Sequence, residues 1–160
     1  MAEIQDYTSG SILEMAKTAL AVLHAGEGSL QGTELGHRIL HEAEKFAPLL
    51  LDMRQASECI SEASFCAVGR RMCCELGPEA DATEAVFLNE LGEAMVEAGK
   101  AVRVSAEEAV GTLKRYKGKP LVFSKVGGKH MEICRTQPAT CLYWNMKRRG
   151  LNCLKSFRAP

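Results

Sequence analysis

Apolar residues recur at spacings of three and four through the first two thirds of the chain, which is the period of an α-helix. Between Ser11 and Ala25, Ile12, Leu13, Ala16, Ala19, Leu20 and Leu23 fall on one helical face. Ser11 with Glu14 has the form of a capping box, and Gly26 supplies a stop. The glycines of the following GEGSLQG stretch match neither the dinucleotide fingerprint nor the phosphate loop, so no nucleotide cradle is assigned there. A second helix is predicted from Thr33 to Phe46. Pro48 opens a third, running through Leu50, Met53, Ile60 and Phe65 to Leu76, where Gly77-Pro78 ends it. A fourth spans Thr83 to Ala98, with Val86, Leu88, Leu91 and Met95 on its apolar side and Gly99 after it. Ser105 and Glu108 form another capping box, opening a short fifth helix to Tyr116.

The pattern changes after Lys117. Residues 121–126 read as a strand, Gly127-Gly128 as a two-residue turn, and residues 129–134 as the returning strand. The predicted fold is therefore mainly α: a bundle of about five helices with a C-terminal β-hairpin and a Cys-rich basic tail. Residues 1–117 form an acidic helical domain, and residues 118–160 a basic hairpin and tail packed on it.

Composition agrees with this reading. The chain is 46% apolar and 25% charged, enough to bury a core, and only 6% aromatic. Ala, Leu, Met and Cys fill the apolar positions, which favours helix over sheet. No apolar run approaches the roughly 20 residues that span a bilayer, and the N-terminus has no basic-then-apolar leader. A cytoplasmic chain with no membrane partner is expected.

The formal net charge of zero is a cancellation. Residues 1–112 carry 19 acidic and 8 basic side chains, whereas residues 113–160 carry 12 basic ones and a single acid, Glu132. Opposed lobes of this kind attract within one molecule or between two, so a homodimer is a natural partner state. Aromatics beside cations in the tail (Tyr143, Trp144, Lys147, Arg148, Arg149) also fit a nucleic-acid-binding module, although no helix-turn-helix, zinc finger or RNA-recognition signature accompanies them.

Seven cysteines without a secretory leader argue for reduced thiols rather than a disulfide framework. Cys59, Cys66 and Cys73 are seven residues apart, on one face of the predicted third helix. Arg70 interrupts that stripe, and a buried arginine needs an anionic partner. Cys134 and Cys141 enclose a Pro138 turn, with Cys153 beyond it in the basic segment. A four-thiolate cluster is anionic, so nearby cations stabilise it. The chain lacks the paired CxxC knuckles of structural zinc. The preferred reading is an iron–sulfur protein, of 4Fe-4S type, acting in electron transfer or redox sensing with a redox partner protein. Cys134, Cys141 and Cys153 are its tail ligands, and Cys66 or Cys73 its ligand from the helical body. Arg70, Arg71, Arg135, Lys147, Arg148 and Arg149 surround it as balancing cations. Zinc held by the three late thiols and His130 is the alternative cofactor. Two further readings need no metal: reactive thiols whose pKa basic neighbours lower, and an interaction protein whose cysteines are merely packed.

Nothing in the pattern supports catalysis. Glu34-x-x-His37 is half of a di-iron motif without its second copy. His41-Glu42 does not continue as HExxH, and no Gly-x-Ser-x-Gly elbow occurs.

Overall fold

Seven strands, not a helical bundle, organise the chain. The computed structural model describes residues 2–71 and 84–158. It is 46% helix and 21% strand, built on one mixed sheet of order β4-β2-β3-β6-β5-β1-β7. The strands are β1 (Leu49–Leu51), β2 (Cys66–Arg70), β3 (Glu84–Leu88), β4 (Ala101–Arg103), β5 (Leu121–Val126), β6 (Lys129–Arg135) and β7 (Lys155–Ser156). The helices are α1 (Ile4–Ser9), α2 (Ser11–His24), α3 (Glu34–Glu44), α4 (Met53–Glu62), α5 (Asn89–Glu97), α6 (Ala106–Lys114) and α7 (Leu142–Arg148). All neighbouring strands are antiparallel except β1 and β7.

The mainly helical expectation is thus corrected, and two segments carry the correction. Among the described residues the predicted third helix is divided into β1, α4 and β2, and its expected end at Leu76 and Gly77-Pro78 lies outside them. Pro48 disfavours helix in the residue before it, and Leu49–Leu51 pairs with both β5 and β7. Asp52 then starts α4 with a reciprocal capping box: its Oδ1 accepts from the Gln55 N–H at 2.7 Å, and Gln55 Oε1 accepts from the Asp52 N–H at 2.9 Å. The predicted fourth helix begins instead as β3, whose residues Ala85, Val86, Phe87 and Leu88 are all buried. Four successive buried apolar residues mark a strand covered on both faces, a pattern that helical periodicity mimics. Asn89, at φ 53°, turns the chain into α5.

The other expected elements form. Gly127 and Gly128 both take positive φ (61° and 87°), as a two-residue hairpin turn of the primed type requires, and β5 pairs with β6 across them. Ser105 caps α6 by accepting from the Glu108 N–H at 3.1 Å. Ser11 does not cap α2: the N-cap is Gly10, and the Ser11 hydroxyl bonds Asp6 Oδ1 at 3.1 Å.

The sheet draws strands from both sides of Lys117. Its C-terminal edge is closed by the Phe157 N–H donating to Leu50 O at 2.9 Å. Helices α4 and α6 cover one face. Helices α1, α5, α2 and α7 lie toward the other, with α3 beside α2 and α7. The larger core cluster includes Ala56, Ile60, Phe87, Leu91, Leu113 and Ile133; a smaller one joins Leu23, Ala43, Met146, Leu151 and Cys153. No helix among the described residues is long and apolar enough to cross a membrane.

Candidate functional site

The hairpin strands present one face to a large cavity. Val122 and Ser124 on β5 stand directly opposite Cys134 and Glu132 on β6, and all four line it. A bulge makes this possible. Lys125 pairs with His130 and Ser124 with Glu132, so Met131 is the extra residue. Without it, His130 and Glu132 would share a face. With it, the His130 ring lies 5.1 Å from Phe123 on the α4 side, while Glu132 enters the cavity.

The cavity measures about 690 Å³ and lies between this face, α2 and α3. Ala16, Ala19 and Val22 from α2, with Ile39 and Ala43 from α3, form apolar walls. The rim carries Met15 and Leu35, two of the three large hydrophobic side chains exposed among the described residues. A shallower groove of about 960 Å³ near the β4 edge contains Arg70, Glu84, Glu108 and Arg115. Arg115 bonds Glu84 at 3.5 Å there, and both are solvated, so that groove reads as an ordinary charged surface.

Polar groups converge at the floor of the α2–α3 cavity. The Tyr7 hydroxyl, carried by α1, donates to Glu132 Oε1 at 3.1 Å. The hydroxyls of Tyr143 on α7 and Ser124 lie 3.3 Å apart. Arg71, only 2% exposed, also lines the space. Burial is the largest influence on Glu132 and pushes its carboxyl up to about 7, against the opposing effects of the Tyr7 hydrogen bond and the Arg71 charge. Burial likewise holds the Tyr7 and Tyr143 phenols well above their ordinary value, with Glu132 adding to both shifts. Both phenols are held un-ionised, beside a carboxyl whose charged form burial disfavours.

The cysteines divide among several places. Cys134 and Cys141, the latter at the N-cap of α7, face the cavity together. Cys153 sits in the smaller core cluster with Leu23 and Met146. Cys66 points to the opposite face of the sheet, its thiol 3.8 Å from the Ile60 carbonyl oxygen on α4. Cys73 lies outside the described residues. Burial pushes the Cys141 thiol up to about 11 and the Cys153 thiol up to about 12, the reverse of activation by basic neighbours. Among the described residues, no group of three or more His, Cys, Asp or Glu side chains is placed to hold a metal ion.

The expected cations scatter too. Arg71 alone reaches the cavity. Arg135 is buried on the α4–α6 side, donating to Leu113 O at 2.8 Å and Lys119 O at 2.6 Å. Arg70 is exposed at the end of β2. Lys147 lies over the Trp144 ring at 5.4 Å, and Arg148 donates to Asn145 Oδ1 at 3.1 Å. Arg149 donates to the carbonyls of Leu23 and Gly28, tying α7 to the end of α2.

Sequence reasoning assigns no site role to Tyr7, Ser124 or Glu132, and takes Tyr143 as a tail aromatic for nucleic acid rather than as a cavity hydroxyl. One signal was present: Glu132 is the only acid in residues 113–160, and it stands between Met131 and Ile133 in a predicted strand. No family model, curated protein or solved structure matches this chain.

Proposed function

We propose that the protein binds an amphipathic small molecule, with an apolar body between α2 and α3 and a polar end at the sheet. The observation that carries this reading is the pairing of apolar walls with a few convergent polar groups in one cavity, Tyr7, Arg71, Ser124 and Glu132 buried and Tyr143 half-buried. Its volume of about 690 Å³ falls within the range of ligand sites. Apolar walls gain by exchanging water for hydrocarbon, and the polar groups at the base fix orientation. Exposed Met15 and Leu35 at the rim suit a site through which an apolar molecule enters.

Trp144 is the sole tryptophan, and its indole N–H donates at 2.9 Å to Thr136, which lines the cavity. Its fluorescence therefore reports occupancy. Titration with dodecanol should shift the emission saturably. Ala19→Phe, which fills the space from the α2 wall, should remove the shift while leaving the circular dichroism spectrum unchanged. A wild-type protein that binds no apolar probe, by fluorescence or calorimetry, rejects the reading.

A second reading keeps the thiols as ligands, because Cys134 and Cys141 face one cavity beside Arg71. They would supply two ligands of an iron–sulfur cluster and Arg71 a balancing cation. Burial of the Cys141 thiol, which disfavours its thiolate, ranks this reading second. Iron and sulfide analysis of anaerobically purified protein tests it; a colourless, iron-free protein indifferent to chelators rejects it.

A further inference from the structure

We propose that the molecule held in this cavity is an uncharged apolar chain whose polar end accepts a hydrogen bond, a ketone, ester or alcohol oxygen, received by the Ser124–Tyr143 hydroxyl pair. The inference deepens the amphipathic-ligand reading and rests on it.

Ser124 on β5 is 3% exposed, and its Oγ lies 3.3 Å from the Tyr143 hydroxyl on α7. Both residues line the cavity. Two hydroxyls carry two protons, and the bond between them uses one, whichever oxygen donates it. Among the described residues, neither hydroxyl has a second hydrogen-bond partner. One proton of the pair is therefore left for an acceptor that the ligand brings. The Tyr143 phenol is un-ionised, because burial holds it well above its ordinary value, so the count stands at neutral pH.

The other polar groups of the floor are already engaged. Tyr7 donates its proton to Glu132 Oε1 at 3.1 Å. The Arg71 charge acts on Glu132 and Cys141, and Arg71 has a further interaction of its own. A charged head would leave water without gaining a counter-charge of its own, which is strongly unfavourable. A carboxylate would also stand beside Glu132, and an ammonium beside Arg71. A neutral acceptor avoids both conflicts and still satisfies the remaining hydroxyl proton.

The walls give a charged head no second place inside. Ala16, Ala19 and Val22 of α2 and Ile39 and Ala43 of α3 are apolar. The charged lining residues of these helices, Glu14, Arg38 and Glu42, are exposed. A head held at that rim would stay hydrated and leave the hydroxyl pair unused.

The test compares methyl decyl ketone, dodecane, dodecanoate and dodecyltrimethylammonium on the full chain by Trp144 fluorescence and calorimetry, at about pH 8, where dodecanoate is ionised. The ketone should bind about tenfold more tightly than the hydrocarbon, the ratio for one well-placed hydrogen bond, and at least about tenfold more tightly than either ion. Ser124→Ala and Tyr143→Phe each leave one hydroxyl whose proton is released from the pair, so each single variant should keep the ketone preference. The double variant Ser124→Ala/Tyr143→Phe should bind ketone and dodecane alike, and its unchanged dodecane affinity reports an intact cavity. Equal wild-type affinity for ketone and hydrocarbon, tighter binding of either ion, loss of the preference in both single variants, or its survival in the double variant overturns the inference while leaving the amphipathic-ligand reading standing. Failure of every probe to bind the wild-type protein overturns both.

Discussion

Tyr7 and Glu132 stand 125 residues apart in the chain and meet at the base of the cavity, the phenol donating to the carboxyl at 3.1 Å. The contact joins α1 to the centre of the sheet and holds the one acid of the basic segment in a dry setting. Its pH consequence follows from linkage. Burial raises the Glu132 value in the folded chain to about 7, from an ordinary 4.5. The native state therefore takes up a proton between those limits. The stability this group contributes is complete below about pH 4.5 and is lost as pH rises through about 7. Relative to Glu132→Gln, the wild-type protein should lose about 2–3 kcal/mol between roughly pH 5 and pH 8, measured by urea unfolding at each pH. Parallel pH profiles would show that the carboxyl ionises as freely as in the unfolded chain.

Thiol reactivity should follow burial, not proximity to basic residues. With thiols pushed up to about 11 and 12, Cys141 and Cys153 are protonated at neutral pH and shielded. Cys59 on α4 is only partly buried. Brief iodoacetamide treatment of the native protein, followed by peptide mass spectrometry, should label Cys59 well before Cys141 or Cys153. Those two should react only on unfolding.

Gly69 marks a place where backbone meets backbone. A Cβ there would lie 2.4 Å from the Lys100 carbonyl oxygen and 3.1 Å from both the Ala101 Cβ and the Phe87 ring. The β2–β4 pairing would have to shift. Gly69→Ala should cost about 1–3 kcal/mol, the usual range for overpacking, with the loss visible as a lower urea midpoint at constant m.

Arg149 ties the end of α2 and the following loop to α7. Its Nε donates to Gly28 O at 2.6 Å and its Nη1 to Leu23 O, while the Leu30 N–H bonds Arg149 O at 2.7 Å. A cation at a helix C-terminus also complements the helix dipole. Arg149→Ala should destabilise by about 1–2 kcal/mol. Arg149→Lys should recover little, because a single ammonium cannot reproduce a planar fork aimed at two carbonyls. Hydrogen exchange should locate the loss at the C-terminal turn of α2.

Legibility in the sequence tracked the range of the interactions involved. The hairpin was readable because Gly127-Gly128 serves a turn that requires positive φ, and α6 because Ser105 caps it within three residues. The strands β1, β2 and β3 escape the helical pattern because they are short, β3 is buried on both faces, and all three are stabilised by partners distant along the chain. Leu50 pairs with Val122, and Val86 with Ile133. Helical spacing of the cysteines had no meaning once Cys59 belonged to α4 and Cys66 to β2. Of the expected site residues, Arg71, Cys134 and Cys141 line the cavity. Their hydroxyl and carboxyl companions were out of reach of a search built on thiols.

By itself the sequence determined the Gly127-Gly128 turn, the Ser105 cap of α6, the amphipathic face of α2 and the presence of α3, because each depends on residues within a few turns of one another; the separation of charge between the two ends is read from composition alone. Tertiary structure decided the order of the strands, the bulge at Met131 that sends His130 and Glu132 to opposite faces, and the shifted acidity of that carboxyl. Strand pairing and desolvation are set by groups that approach only when the chain has folded, and no local pattern encodes their distance.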